Sequence, residues 1–147
     1  MDLGLTEKVV LVTGGSRGLG KTICRMLAEE GAQVAVNYRS RREEAESVVR
    51  GIQEDFGRQA AAVYGDVSRE ADVISLFDEA QRQLGPVDVL VNNAAVCPVG
   101  ATAELPVEEF SQTLQVNMTG TFLASRELVR RLLAARNAAR PARRTWR

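Results

Sequence analysis

A glycine-rich segment near the N-terminus is the part of the sequence best suited to bind a ligand. Residues 13–20 read TGGSRGLG, between a short apolar run and a stretch with helical spacing. Gly14 permits a tight turn, Gly18 lets a pyrophosphate approach the backbone, and Gly20 lets helix and strand pack closely. Amides at the start of the helix favour an anion by about 0.3–2 kcal/mol. We therefore expect a pyrophosphate-binding turn rather than a glycine-rich turn without a ligand.

Spacing and composition exclude several other chemistries. The segment is not a P-loop, because only one residue separates Gly18 from Gly20, and it also departs from the frame G-x-G-x-x-G. The chain has no histidine, which excludes histidine-dependent catalysis and most transition-metal sites. Its two cysteines, Cys24 and Cys97, are too few for structural zinc. We expect no metal, two reduced thiols, and Cys24 buried by a helix.

The elements that must position this turn alternate between strand and helix patterns. Short apolar runs predict four strands, at residues 8–13, 33–38, 60–67 and 87–95. Apolar residues at helical spacing predict four helices, from Gly18 to a C-cap at Gly31 and at residues 41–56, 69–84 and 106–133. This alternation predicts an α/β fold with a parallel sheet and helices on both faces.

Each of the first three helices should bury an apolar stripe. In the first helix four residues share a face: Leu19, Ile23, Met26 and Leu27. The second stripe consists of Ala45, Val48, Val49, Ile52 and Phe56. The third consists of Val73, Leu76, Phe77, Ala80 and Leu84. The fourth helix begins with a proline and carries Glu108 and Glu109 in its first turn, as a helix start favours.

Four motifs in this order make residues 8–125 resemble the short-chain dehydrogenase/reductase family. They are TGGSRGLG, then GDV at residues 65–67, NNAA at residues 92–95 and VNMTG at residues 116–120. The 3-oxoacyl-carrier-protein reductase and sugar-alcohol dehydrogenase types are the most similar. The resemblance implies a Rossmann-type, doubly wound parallel sheet, of which the chain holds the N-terminal part with four strands and four helices. It also implies hydride transfer between a nicotinamide dinucleotide and a carbonyl or alcohol.

The resemblance implies a set of cofactor contacts. Asp66 is expected to meet the adenine. The full set is Gly14, Ser16, Arg17, Gly18, Leu19, Gly20, Arg39, Ser40, Asp66, Val67, Asn93, Ala94 and Ala95.

The end of the second strand indicates which cofactor is used. NAD binders carry an acid there, whereas residues 37–42 read NYRSRR and the first carboxylate is Glu43. A guanidinium at Arg39, with Ser40 and with Arg17 from the turn, suits a 2′-phosphate. The alternative is that these arginines are simply solvated. We expect NADP(H), with NAD as the alternative.

The catalytic residues that the resemblance implies are a serine, a Tyr-x-x-x-Lys pair and an asparagine. Of these, only the asparagine is present, at Asn117. The two tyrosines, Tyr38 and Tyr64, are followed four residues later by Arg42 and Ser68, where the pair requires lysine. We therefore expect a catalytically incompetent chain, with a small carbonyl or alcohol as substrate only in a full-length form. The alternatives are a non-catalytic NADP-binding or heterodimerising fragment, or a non-functional product. A homo-oligomer is also possible within this family.

Charge divides the chain unequally. Residues 1–125 hold 11 basic and 18 acidic side chains, a balance of −7, and residues 126–147 hold 8 arginines and one glutamate, a balance of +7. We expect an incomplete dinucleotide-binding domain at residues 1–133 and a basic, disordered or frayed tail at residues 134–147. Our hypothesis for the tail is truncation or a frameshift. The alternatives are a basic extension for nucleic acid or a membrane surface, and a solvated helix end.

Composition and the family's strand order complete these expectations. The sequence is 45% hydrophobic and 26% charged, as in soluble globular proteins, and lacks both a membrane-spanning run and a secretory signal. We therefore expect a cytoplasmic protein without a membrane partner. In the strand order 3-2-1-4-5-6-7 that the resemblance implies, absence of a fifth strand leaves residues 89–91 at an exposed edge.

Overall fold

One parallel sheet carries the chain, with strand order β3-β2-β1-β4. The computed structural model describes residues 3–139. The strands are β1 Val9–Val12, β2 Gln33–Tyr38, β3 Ala60–Tyr64 and β4 Val89–Val91. The helices between them are α1 Gly18–Glu29, α2 Arg42–Phe56 and α3 Glu70–Leu84. This parallel sheet with crossover helices confirms the predicted fold class.

Helices cover both faces of the sheet and form two cores. On one face, Leu11 and Ala35 pack with Phe77 of α3 and with residues of the C-terminal helix. On the other face, Val10 and Val34 pack with Ile52 and the rest of the α2 stripe. All four residues of β1 are buried, as expected for a central strand of a doubly covered parallel sheet. The predicted stripes of α2 and α3 are confirmed.

The stripe predicted for α1 is wrong in two of its residues. Leu19 is 70% exposed and Met26 is 60% exposed, whereas the buried residues of α1 are Gly20, Cys24 and Ala28. The physical reason is close packing: small residues let the helix backbone approach the sheet, so the buried arc is rotated from the large side chains. Burial of Cys24 is confirmed, and it raises the pKa of this thiol to about 12.

The long helix predicted at residues 106–133 is continuous but not uniform. It consists of α4 Val107–Leu114, a π-helical segment Gln115–Gly120, and α5 Thr121–Ala138. The π-helical turns end at Gly120, where the helix packs closely against Val67. A Cβ at Gly120 would lie 2.9 Å from Cγ2 of Val67. The helix also runs past residue 133, and the predicted tail beyond residue 139 lies outside the described residues.

Strand β4 is shorter than predicted and lies at the edge of the sheet. Its residues pair only with β1 and are all half-buried, which confirms the expected edge among the described residues. The strand ends early because the hydroxyl of Thr13, not a backbone carbonyl, accepts the next hydrogen bonds from Asn93 and Ala94.

Along residues 3–139, no helix is both long and apolar enough to span a membrane.

Candidate functional site

A cleft of about 460 Å³ opens at the carboxyl ends of the four strands. Parallel α/β sheets bind ligands at this edge, because the loops after adjacent strands converge there. The loops after β1, β2, β3 and β4 all contribute to its walls, together with Val116 of the π-helical segment. All thirteen residues that the sequence predicted as cofactor contacts line this one cleft. The structure therefore brings together wall residues that are far apart in the chain, from Gly14 to Val116.

The glycine-rich turn needs glycine at specific positions. Gly14 and Gly18 adopt positive φ angles of 63° and 51°, which side chains disfavour. A Cβ at Gly20 would clash with the carbonyl oxygen of Gly14 and would lie 2.5 Å from Nδ2 of Asn93. Nothing lies within 4 Å of the Cβ position at Gly18, which leaves open space beside the backbone there. The positive φ of Gly14 is consistent with a tight turn and the crowding at Gly20 with close packing, and the role of Gly18 at a pyrophosphate stays a prediction.

Hydrogen bonds between Thr13 and Asn93 join the turn to the end of β4. Asn93 Nδ2 donates to the carbonyl of Thr13 at 2.9 Å and to that of Gly14 at 3.1 Å. Thr13 Oγ1 accepts from the amides of Asn93 and Ala94, both at 3.0 Å, and donates to the carbonyl of Val91. Asn93 therefore holds the turn in place, in addition to lining the cleft.

Four arginines lie in or directly beside the cleft, and the described residues give an ion pair to two of them. Arg41 binds Glu44 and Arg42 binds Glu46, each through a nitrogen–oxygen distance of 2.7 Å. Arg17 and Arg39 line the cleft, and the described part of the chain supplies no salt bridge to either. These two guanidinium groups are thus available to an anionic ligand. Ser40, between the end of β2 and α2, lines the cleft beside Arg39.

Asp66 sits in a loop that its own hydrogen bonds shape. Its carboxylate accepts from the amide of Ser68 at 2.9 Å and from the hydroxyl of Ser68 at 2.6 Å. Its amide donates to the carboxylate of Asp72 in the first turn of α3. Within residues 3–139 no hydrogen bond reaches the second carboxylate oxygen, Oδ2, and Asp66 lines the cleft. The loop therefore offers an acceptor to a ligand, and contact of Asp66 with an adenine stays a prediction.

Asn117 does not line the cleft, although the sequence predicted it as a catalytic position. Its Oδ1 accepts from the amide of Val96 at 2.9 Å, and its Nδ2 donates to the carbonyl of Val96 at 2.8 Å. The neighbouring Gln115 donates from Nε2 to the carbonyl of Ser68 at 2.9 Å. The π-helical segment thus fixes two of the loops that form the walls.

Sequence reasoning missed six residues of the walls: Asn37, Tyr38, Arg41, Gly65, Val96 and Val116. A usable signal existed for Asn37, because an amide in an apolar strand must find partners when it is buried. Four of the others directly follow or adjoin predicted residues at strand ends, and Val116 adjoins the predicted Asn117 in the π-helical segment, so longer segments would have included them. The described residues hold no cluster of three metal-ligating side chains.

A family model and several curated proteins are similar to this chain in sequence. The family model described as short chain dehydrogenase matches residues 8–140. The 3beta-hydroxysteroid dehydrogenase 1 of Eggerthella lenta is 42% identical over 125 residues, which cover 85% of this chain and 48% of that protein. An uncharacterized oxidoreductase of Thermotoga maritima is 38% identical over 125 residues, with the same shares covered. The chain spans about half the length of the curated relatives it matches.

Two solved structures are similar in both sequence and fold. A short chain dehydrogenase from Burkholderia cenocepacia, in complex with NADP, is 39% identical with a TM-score of 0.80. A blue fluorescent protein from a metagenomic library, in complex with NADPH, is 38% identical with a TM-score of 0.79. Each match covers 86% of this chain and 51% of the other chain.

Proposed function

The chain belongs to the short-chain dehydrogenase family, and from this premise we propose that its cleft binds NADP(H) for an oxidoreductase. The proposed contacts are the thirteen wall residues predicted from the sequence, within a cofactor-binding unit at residues 1–133. The glycine-rich turn would receive the pyrophosphate at the N-terminus of α1, where amides and the helix dipole favour negative charge. Asp66 would accept a hydrogen bond from the adenine. The 3-oxoacyl-carrier-protein reductase type stays a prediction from the motifs.

The observation that carries this proposal is the pair of guanidinium groups at Arg17 and Arg39, which line the cleft and have no salt bridge to any residue of 3–139. A 2′-phosphate distinguishes NADP from NAD, and guanidinium groups bind phosphate through charge-assisted hydrogen bonds. Each such bond contributes about 1.5–3 kcal/mol, and solvent exposure places these two at the low end. NADH lacks this phosphate and gains neither interaction.

The surroundings of β2 disfavour NAD as the cofactor. No carboxylate stands between the end of β2 and Glu43, so no side chain of residues 37–42 can accept from a ribose 2′-hydroxyl as an acid does. The nearest ion-paired acids, Glu44 and Glu46, are held by Arg41 and Arg42. Both NADP-type complexes among the similar structures support the same choice.

We further propose that the 147-residue polypeptide binds the cofactor without appreciable turnover. Its tyrosines, Tyr38 and Tyr64, contact each other edge to face with ring centroids 6.0 Å apart. The only lysines, Lys8 and Lys21, both precede the tyrosines in the sequence, so neither completes a Tyr-x-x-x-Lys pair, and Lys8 pairs with Asp88. Without a tyrosine beside a lysine, no group here is set to protonate a developing alkoxide, a step worth about 10²–10⁴-fold in rate. Carbonyl reduction would require groups from outside these residues.

A fluorescence titration with NADPH and NADH tests the cofactor proposal. Replacing Arg39 (Arg39→Ala) should weaken NADPH binding about tenfold and leave NADH binding nearly unchanged, since only NADPH carries the 2′-phosphate. Arg42→Ala is the matched control, because Arg42 is already paired with Glu46 and does not line the cleft. Equal losses for both cofactors in Arg39→Ala, or a loss in Arg42→Ala as large, would refute the assignment.

Absorbance at the nicotinamide band tests the second proposal. The purified chain, mixed with NADPH and a panel of small ketones and aldehydes, should oxidise the cofactor no faster than a protein-free blank. Steady oxidation at ordinary enzyme rates would contradict the absence of a proton donor. The titration is independent of this outcome, so the two proposals fail separately.

A further inference from the structure

Asn37 interrupts the apolar run of β2 at a position that faces the protein interior. It pairs in register with Val63 of β3, and its side chain follows that of Ala35 on the same face of the sheet. Only 2% of Asn37 is exposed to solvent. Burial of an amide without hydrogen bonds costs about 1–3 kcal/mol in proteins, so its partners decide whether it is tolerated here.

The side chain of Asn37 connects the glycine-rich turn to the loop after β3. Its Oδ1 accepts a hydrogen bond from the amide of Gly14 at 3.1 Å. Its Nδ2 donates to the carbonyl of Gly65 at 3.0 Å and to that of Val63 at 3.3 Å. The backbone carbonyl of Asn37 also accepts from the amide of Gly15 at 2.9 Å. One residue therefore holds both loops that would enclose the adenosine half of the cofactor.

Gly14 is held from two sides by amide side chains. Asn37 accepts from its N–H group, and Asn93 donates to its carbonyl oxygen at 3.1 Å. A glycine at a φ of 63° has many other conformations available, and fixing one backbone residue costs about 1–2 kcal/mol. If the free protein already holds Gly14 in this conformation, the free energy of ligand binding does not include the cost of ordering it.

We propose that Asn37 is a positioning residue that presets the glycine-rich turn and the Gly65 loop for the dinucleotide. The inference rests on the proposed function of the cleft as an NADP(H) site. Asn37 acts through Gly14 and Gly65, and the amides of the turn are the groups that meet the phosphates. Removal of its hydrogen bonds frees both loops, and binding then includes the cost of ordering them.

Asn37→Leu tests this role, because leucine keeps the shape of asparagine and cannot form the hydrogen bonds. Val48→Ala is the matched control. Val48 belongs to the buried stripe of α2, is 2% exposed, and does not line the cleft. At a temperature where circular dichroism shows both variants folded, Asn37→Leu should bind NADPH about tenfold more weakly than wild type. The same loss is expected for adenosine 2′,5′-bisphosphate. Val48→Ala should bind both ligands as wild type does.

Unchanged affinity in Asn37→Leu, or an equal loss in Val48→Ala, would overturn the positioning role. If Asn37→Leu does not fold, Asn37→Ser serves for the same comparison. Amide hydrogen exchange in the cofactor-free wild type gives a second readout, in which the Gly14 amide should be protected. Exchange of Gly14 at the rate of an unfolded peptide overturns the inference. A wild type that fails to bind NADPH contradicts the proposed function instead, and the exchange measurement still decides the role of Asn37.

Discussion

Replacing Thr13 with valine should destabilise the fold far more than the loss of one hydroxyl suggests. Thr13 is 2% exposed, and its Oγ1 accepts from two consecutive backbone amides, those of Asn93 and Ala94. Valine has the same shape and offers no acceptor, so both amides lose their partner. The carbonyl of Val91 keeps its bond from the amide of Thr13 at 3.0 Å and is not left unpaired.

The magnitude follows from counting those two amides. An unsatisfied buried donor costs about 1–3 kcal/mol. The hydrogen bonds of the Asn93 and Ala94 amides are only partly buried, so the cost for each amide lies in the lower part of this range. We expect Thr13→Val to lower the free energy of unfolding by about 2–4 kcal/mol. A domain of this size has about 5–15 kcal/mol in total, so the loss is a large fraction of its stability.

Urea unfolding followed by circular dichroism measures this loss, and Thr22→Val provides the control. The hydroxyl of Thr22 is exposed and donates to the carbonyl of Gly18 one turn earlier in α1. Its replacement should cost less than about 0.5 kcal/mol, as is usual for surface substitutions. Equal losses in the two variants would refute the claim that Thr13 caps the end of β4.

Three further predictions concern glycine contacts and the thiols. Gly20→Ala should weaken NADPH binding at least tenfold in the same titration, because its Cβ has no room beside the turn. Gly120→Ala should lower the free energy of unfolding by about 1–3 kcal/mol, and Val67→Ala in the same chain should restore part of it. At pH 8, Ellman's reagent should modify Cys97 and spare Cys24, since the thiolate is the reactive form and the buried thiol has a pKa of about 12.

Controls for these predictions come from the same chain. Gly100→Ala should leave both binding and stability unchanged, because nothing lies within 4 Å of its Cβ position. Additive losses in Gly120→Ala and Val67→Ala would show that the two sites do not touch. Urea should expose the second thiol, so two equivalents react after unfolding and one before it. Reaction of both thiols in the folded chain would contradict the burial of Cys24.

Strong periodicity made most elements predictable from sequence. The stripes of α2 and α3 contain residues such as Ile52 and Phe77 at regular spacing, and both are fully buried. In α1 the same reasoning selected Leu19 and Met26, because periodicity identifies an apolar arc but not the close approach that requires small side chains. Leu19 lines the cleft instead.

The contacts that organise the cleft were harder to predict, because they join distant parts of the chain. Asn37 binds carbonyls 26 and 28 residues away, and the partners of Thr13 lie about 80 residues away. Their partners depend on which strands are neighbours and in which register. The hydrogen bonds of Asn117 in the π-helical segment likewise reach the loop at Val96, 21 residues away, which the sequence pattern does not place.

The most direct test of a cleft built for NADP(H) is the ratio of the dissociation constants for NADH and NADPH on the unmodified chain at low salt. The guanidinium groups of Arg17 and Arg39, unpaired among the described residues, predict NADPH binding at least about tenfold tighter than NADH binding. Added salt should reduce this ratio by screening the exposed charges. Equal affinities, or tighter binding of NADH, would contradict the assignment.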